Sequence, residues 1–414
     1  MSVHAVPVTA STVVVAVDVG KSSAVLSVTD AARCRLLGPV EFAMTRSAVV
    51  DVVGRVCEVL PGVGVAVRVG VEAAGHYHRP LIEASAWPAG WEVFELNPAH
   101  VAGQRRVQGR RRVKTDAIDL EAITELVLAG HGVPVIGHDL VIGEVAAWSG
   151  HRSRRIQTRT ATKNQLLGQL DRSFPGLTLA LPDVLGTKVG RLVAAEFADP
   201  ARLASLGATR LIRFAAARGL QVRRPLAERL VQAARDALIT ADAAAARRVL
   251  SADLALLAGL DTQIAAAEAE LARLLPASPF HPLTTVPGWG VVRAANYGAA
   301  IGEPTRWAGS AQLYRAAGLS PVQYESAGHR RDGSISREGS VELRRALIDL
   351  GIGLWHCDPA AKVYAAGLKA RGKRGGIIAC ALAHRANRIA FALVRDQSGY
   401  DSSRWARPQS ALPR

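Results

Sequence analysis

Two carboxylates three residues apart, Asp116 and Asp119, follow a run of cations: Arg105, Arg106, Arg110, Arg111, Arg112 and Lys114. On a helix that spacing puts both acids on one face, about one turn apart. Neighbouring carboxylates repel unless a positive charge stands between them. A divalent cation supplies that charge, and the basic run adds a surface for a phosphate polymer. The same stretch also reads as a solvated helix start with Asp116 near the N-cap. Two acids upstream bear on the choice. Asp18 follows the apolar run Val13 to Val17. Glu72 follows Val63 to Val71, which is broken only by Gly64, Arg68 and Gly70.

The elements that would position these acids are legible. Val13 to Asp18 reads as a strand, Gly20 to Ser23 as a tight turn, and Ala24 to Val28 as a paired strand. A third strand is expected near Leu36–Phe42 and a helix near Thr45–Leu60. The run ending in Glu72 is apolar on both faces and suits a central, doubly covered strand. Trp91 to Leu96 reads as a short fifth strand. Glu72 then sits at a carboxyl end, where open α/β sheets place their sites.

In order and local context, Asp18, Glu72, Asp116 and Asp119 resemble the acids of the DEDD insertion-sequence transposases. That family has a RuvC-like N-terminal domain and includes bridge-RNA-guided recombinases and pilin-gene invertases. Val17-Asp18-Val19-Gly20-Lys21 resembles its opening strand. Val71 to Tyr77 resembles its glutamate segment, with Ala74 where a hydroxyl residue is usual. Asn97-Pro98 and Lys114-Thr115-Asp116 match the segment before its paired aspartates. Three strands, helix, strand, helix, strand, helix is also the element order of the ribonuclease H-like (RuvC-like) α/β fold. The resemblance implies that the four acids are catalytic and hold one or two Mg²⁺.

The C-terminal half carries the second part of the resemblance. Gly318-Leu319-Ser320-Pro321, then Ser326-Ala327-Gly328, then the basic segment Leu343 to Leu347 are similar to the family's C-terminal block. The family's DNA nucleophile is a serine, which matches Ser326. Ser-Ala-Gly stands where Ser-Gly is usual, so Ser334, Ser336 and Ser340 are rivals. Without the resemblance, a serine in a glycine-rich loop is a turn residue. Thr285 to Gly290 looks like a helix-hairpin-helix turn that offers N–H groups to a phosphate; a Pro-Gly turn between two helices is the competing reading. Arg330, Arg331, Arg337 and Arg344 join the earlier basic run as candidate nucleic-acid contacts.

Composition agrees with a polyanion partner. The 414 residues hold 51 Lys and Arg against 35 Asp and Glu, a net charge of +16. The cations cluster at residues 105–114, 152–163, 330–345 and 369–374, which favours salt-dependent nucleic-acid binding over a merely basic proteome. Four cysteines without Cys-x-x-Cys spacing argue against a zinc site or a disulfide framework. There is no signal-peptide pattern and no apolar run of about 18 residues, so a cytoplasmic, nucleoid-associated protein without a membrane partner is expected.

Between the two halves the chain reads as helical. Ser153 to Leu170 is basic and stops at Phe174-Pro175-Gly176. Within Ala227–Leu275, Leu254, Leu257, Leu260, Ile264, Ala267, Leu271 and Leu274 recur at spacings of three and four. That suits a coiled-coil arm or an amphipathic helix within its own domain. Pro182, Pro200 and Pro225 punctuate an inserted helical subdomain from Leu177 to about Leu250. The expected division is a RuvC-like catalytic domain at 1–150, coiled-coil arms with the insert at 151–278, a mainly α transposase domain with the serine at 279–395, and a tail at 396–414.

By resemblance, the activity is cleavage and rejoining of donor and target DNA. Targeting would come from a structured guide RNA, and serine and acids would meet between subunits of a homodimer or homotetramer. A junction nuclease with the same acids and a water nucleophile is the alternative; the long C-terminal half argues against it. A sugar-kinase-like phosphotransferase would need a second Asp-Gly phosphate turn after a strand, and Asp332-Gly333 lies in a basic loop. An architectural DNA-binding protein would leave the four ordered acids unexplained.

Overall fold

A computed structural model describes residues 11–62, 64–109, 115–135, 139–326 and 329–403, with the side chains of residues 84 and 325–332 outside that description. The chain forms two compact units, each built from two separate stretches. One comprises Met1–Leu140 and Glu303–Ser340, the other Val141–Gly302 and Val341–Arg414.

The first unit is a mixed sheet with helices. Strands β1 (Thr12–Val19), β2 (Ser23–Asp30) and β3 (Arg35–Ala43) form an antiparallel meander. Helix α1 (Arg46–Val59) starts at Thr45, whose side chain caps the Ala48 N–H. It leads to β4 (Ala66–Glu72), which returns parallel beside β1. A four-residue helix, α2 (Arg79–Ile82), precedes β5 (Glu92–Leu96), parallel to β4. Helices α3 (Pro98–Val107) and α4 (Asp116–Leu128) follow. A two-residue edge strand that the sequence reading missed, β6 (Val133–Pro134), pairs antiparallel with β5. The strand order is β3-β2-β1-β4-β5-β6.

Strand alternation divides the sheet into two faces. Val13, Val15 and Val17 of β1 join Val67, Val69 and Val71 of β4 in a core with Val52 and Val56 of α1. Val14 and Ala16 lie in a second core with Leu120, Ile123 and Val127 of α4. Gly70 lets α4 approach: a Cβ there would stand 2.5 Å from Val127 and 3.0 Å from Ile123.

The second unit begins with α5 (Leu140–Ser173), so the expected boundary at residue 150 falls inside a helix. The cause is periodic burial that starts earlier than the basic stretch, at Ile142, Val145 and Ser149. Helices α6 (Leu177–Ala180), α7 (Lys188–Glu196), α8 (Pro200–Ala216) and α9 (Arg224–Arg235) form the insert. Pro200 and Pro225 sit in first helical turns, where a missing N–H costs nothing. The insert shares one apolar core with Leu166 and Leu170 of α5 and with Leu250 and Leu257 of α10 (Ala243–Leu274).

The helical stretch from Ala227 to Leu275 falls on two helices, α9 and α10. It breaks where Thr240 donates to the Arg172 carbonyl at 2.9 Å and Arg172 pairs with Asp242. The seam positions Leu257, Leu260, Ile264, Ala267, Leu271 and Leu274 are buried. Arg152 meets Glu268 at 2.7 Å and Arg159 meets Asp261 at 3.1 Å. Partner numbers fall as arginine numbers rise, so α5 and α10 run antiparallel within one chain. Part of the basic cluster at 152–163 is therefore engaged in ion pairs.

Helix α11 (Val291–Ile301) follows the Thr285–Gly290 turn. That turn is used for packing. The buried Trp289 donates its ring N–H to the Leu350 carbonyl at 2.8 Å. Gly288, at φ +82°, leaves no room for a Cβ, which would lie 2.4 Å from the Gly353 carbonyl oxygen. Helix α12 (Ser310–Ala316) and the hairpin β7 (Pro321–Ser326) with β8 (His329–Ile335) belong to the first unit. The chain then re-enters the second unit with α13 (Val341–Cys357), α14 (Pro359–Ala370) and α15 (Gly375–Asp396). Helices α10 and α15 are long and apolar enough, by length and composition, to cross a membrane. Here α15 packs on α13, and α10 carries the ion-paired Asp261 and Glu268.

Candidate active site

Val17 and Val71 are register partners in the parallel pair β1–β4. One residue further along each strand stand Asp18 and Glu72, roughly 5 Å apart in the backbone at neighbouring strand spacing. Both have the opposite parity to the valines of the α1-side core, so both face the side that α4 covers. Each is half-buried and in contact with other groups of the chain.

Helix α4 presents the other two acids in its first turn. Thr115 occupies the N-cap position, Asp116 is the first helical residue and exposed, and Asp119 is 1% exposed. Asp119, Ile123 and Val127 are four apart, which puts Asp119 on the stripe that faces the sheet. A carboxylate in a first turn also meets the positive end of the helix dipole. Asp119 accepts a hydrogen bond from the Arg105 guanidinium of α3 at 2.7 Å. Arg105, expected at a nucleic-acid surface, is thus the counter-charge of a buried acid. Arg106 is exposed in the last turn of α3.

An all-oxygen donor set suits a hard divalent cation. Among the described residues, however, no three His, Cys, Asp or Glu side chains stand together at ligand spacing. The arginine holds Asp119 in the arrangement seen here, and a cation at the four acids would compete with it.

Ser326 ends strand β7, where its backbone pairs with His329, so it lies in a hairpin rather than an irregular loop. Its side chain, like those of Arg330 and Arg331 in β8, is outside the described residues, as are Arg110, Arg111, Arg112 and Lys114 altogether. The hairpin belongs to the same compact unit as the four acids. Of the rival serines, Ser334 is exposed in β8, and the Ser336 hydroxyl accepts from the Glu338 N–H at 3.3 Å. Ser340 donates its backbone N–H to the Ala316 carbonyl. Arg337 is exposed just after β8, at φ +58°. Arg344 is half-buried in α13 of the other unit.

A second polar cluster went unread in the sequence. Glu95 of β5 lies beside Val71 and hence on the sheet face opposite Glu72. The buried His78 ring donates from Nε2 to Glu95 at 3.2 Å, and Arg306 approaches the same carboxylate at 3.8 Å. The His78 hydrogen bond lowers the pKa of Glu95; burial opposes it, and the charges of Arg306, His78 and Arg79 lower it further. Arg306 opens the stretch that carries the serine hairpin, so this cluster ties that stretch to the sheet. The available signal was a carboxylate two residues from Val93, on the same face of a short strand.

Comparison with known proteins gives two family matches and two relatives. Residues 15–175 match the DEDD transposase model of the IS110 type, and residues 281–366 match the transposase IS116/IS110/IS902 family. The chain is 26% identical over 293 residues to the 43.6 kDa protein of insertion element IS110 from Streptomyces coelicolor, covering 70% of this chain and 72% of that one. It is 25% identical over 401 residues to the 42 kDa protein of insertion element IS900 from Mycobacterium paratuberculosis, covering 93% and 96%.

Proposed function

Since this chain belongs to the IS110/IS116/IS902 family of insertion-element transposases, we propose that it cuts and rejoins DNA with a four-acid, Mg²⁺-binding site and a serine nucleophile. The observation that carries this reading is the convergence of Asp18 and Glu72 on the face covered by α4, whose first turn holds Asp116 and Asp119. The strand order β3-β2-β1-β4-β5, with acids on the first and fourth strands and a late helix, supports a ribonuclease H-like catalytic domain.

Asp18, Glu72, Asp116 and Asp119 would hold the cation, which when bound supplies charge stabilisation at the scissile phosphate. The Ser326 hydroxyl oxygen forms a bond to phosphorus and gives up its proton. The bond from phosphorus to the leaving strand breaks, and that strand departs as a hydroxyl. One phosphodiester replaces another, so the later rejoining needs no external energy source. Exposed arginines hold phosphates and set register without reading bases. Sequence choice then falls to base pairing with a structured guide RNA held by shape. A homodimer or homotetramer working at the nucleoid completes the reading.

The test is a denaturing gel with labelled donor and target DNA, Mg²⁺ and the element's own non-coding RNA. The unaltered chain forms a covalent protein–DNA adduct; Ser326→Ala forms none yet binds nucleic acid normally. Asp119→Ala abolishes cleavage and keeps binding, because losing a carboxylate leaves the site more positive and releases the Arg105 guanidinium. Adduct formation that survives in Ser326→Ala and is lost in Ser334→Ala or Ser336→Ala moves the nucleophile by one strand. Cleavage without any adduct makes water the nucleophile and the chain a junction nuclease.

A further inference from the structure

Three helices of the second unit wall a cavity of about 520 Å³ that the proposed chemistry does not use. It lies between α5, α11 and α13, and the volume is within the roughly 300–1,000 Å³ range of small-ligand pockets. Small residues make the room: Gly150, Ala299 and Ala346 line it. The fold brings two basic clusters that are remote in sequence to this one place. Arg154 comes from the cluster at 152–163 and Arg345 from the cluster at 330–345. Both are exposed, and neither is ion-paired among the described residues.

A cavity lined by cations alone would suit a bare phosphate. This one also carries groups that donate and accept in fixed directions. Ser149 donates to the Asn296 carboxamide oxygen at 2.8 Å, which orients that amide and leaves its N–H groups for a guest. Gln157 adds a second carboxamide, and Asp349 an acceptor whose charge Arg293 offsets at 3.1 Å. A duplex is too wide to enter a hollow of this size. An unstacked nucleotide fits it, since a base offers an edge to carboxamides and a flat face to a guanidinium.

We propose that this cavity seats one unpaired nucleotide of a nucleic-acid strand, with its phosphate on Arg154 and Arg345 and its base edge on Asn296 and Gln157. The inference rests on the nucleic-acid reading above and deepens it. The strand is either RNA or DNA, and the two are told apart by the probe.

The experiment photo-crosslinks the full-length chain to single-stranded RNA carrying 4-thiouridine and, separately, to DNA carrying 4-thiothymidine, and maps the peptide. Attachment within residues 146–157, 296–300 or 342–349 is expected, and the strand that reacts names the source. Replacing Arg154 and Arg345 together by alanine should weaken binding about tenfold and flatten the slope of log affinity against log salt by about 0.7, the one single-strand phosphate that the two arginines share. Gln157→Ala should lower the crosslink yield and leave the salt slope unchanged, which separates base from phosphate. Circular dichroism confirms that each variant is folded. An Arg154, Arg345 double variant with unaltered crosslink, affinity and slope overturns the nucleotide seat. An unaltered chain that binds neither strand overturns the transposase reading itself.

Discussion

At the scale of single residues, the Arg105–Asp119 pair decides how the acids can coexist. Asp119 is almost wholly buried, and Arg105 is 20% exposed. Removing the partner of a buried charge costs more than the pair contributes, because the charge is left without compensation. Arg105→Ala should therefore destabilise the chain by about 3–5 kcal/mol. If the four acids are a cation site, Mg²⁺ takes over the role of the lost guanidinium. Thermal melts should then show Mg²⁺ raising the Tm of Arg105→Ala by more than it raises that of the unaltered chain. Equal rises would separate Arg105 from the metal. Lysine at position 105 keeps the charge and loses the planar fork, so it should recover part of the stability.

At the scale of elements, Glu95 joins three pieces of chain: strand β5, the His78 segment before α2, and the Arg306 stretch that leads to the β7–β8 hairpin. Its pKa is lowered in the folded chain, first by the His78 hydrogen bond. A lowered folded value means stability that is fully present above the ordinary carboxylate pKa of about 4.3 and is lost as pH falls through the folded value. Denaturant midpoints measured from about pH 6 to pH 3 should fall with acidification. Glu95→Gln should flatten that fall. An acid limb with the same shape in both proteins would remove Glu95 from the account.

At the scale of the molecule, each compact unit is assembled from two stretches, and the chain crosses between them three times, near residues 140, 302 and 340. The units have separate cores, one around the sheet and one that ties the insert to α5 and α10. Separate cores predict separate unfolding. Calorimetry should resolve two transitions, the first unit's moving with Arg105→Ala and the second unit's with Arg159→Ala. Asp261 links α10 to both α5 and α7: burial would raise its pKa, and the bonds from Arg191 and Arg159 outweigh that. A single transition shifted equally by both variants would show that the crossings couple the two cores.

The sequence by itself determined what depends on near neighbours. The valine runs specified β1 and β4 and placed an acid near the carboxyl end of each, because strand alternation and burial act along the chain. Thr45 marked a helix start, because the first turn's N–H groups must find acceptors close by and its hydroxyl supplies one. Distant side chains meeting in space were not legible. Arg105 read as a surface cation, yet it bonds a buried acid. Arg306 and Glu95 gave no local sign of each other, and the β7–β8 hairpin was read as a loop. The two arginine clusters that share a cavity were read as separate surfaces. Local hydrogen bonding and hydrophobic period fix the elements, whereas the packing of distant helices chooses which charges face one another. That choice was made only in the folded chain.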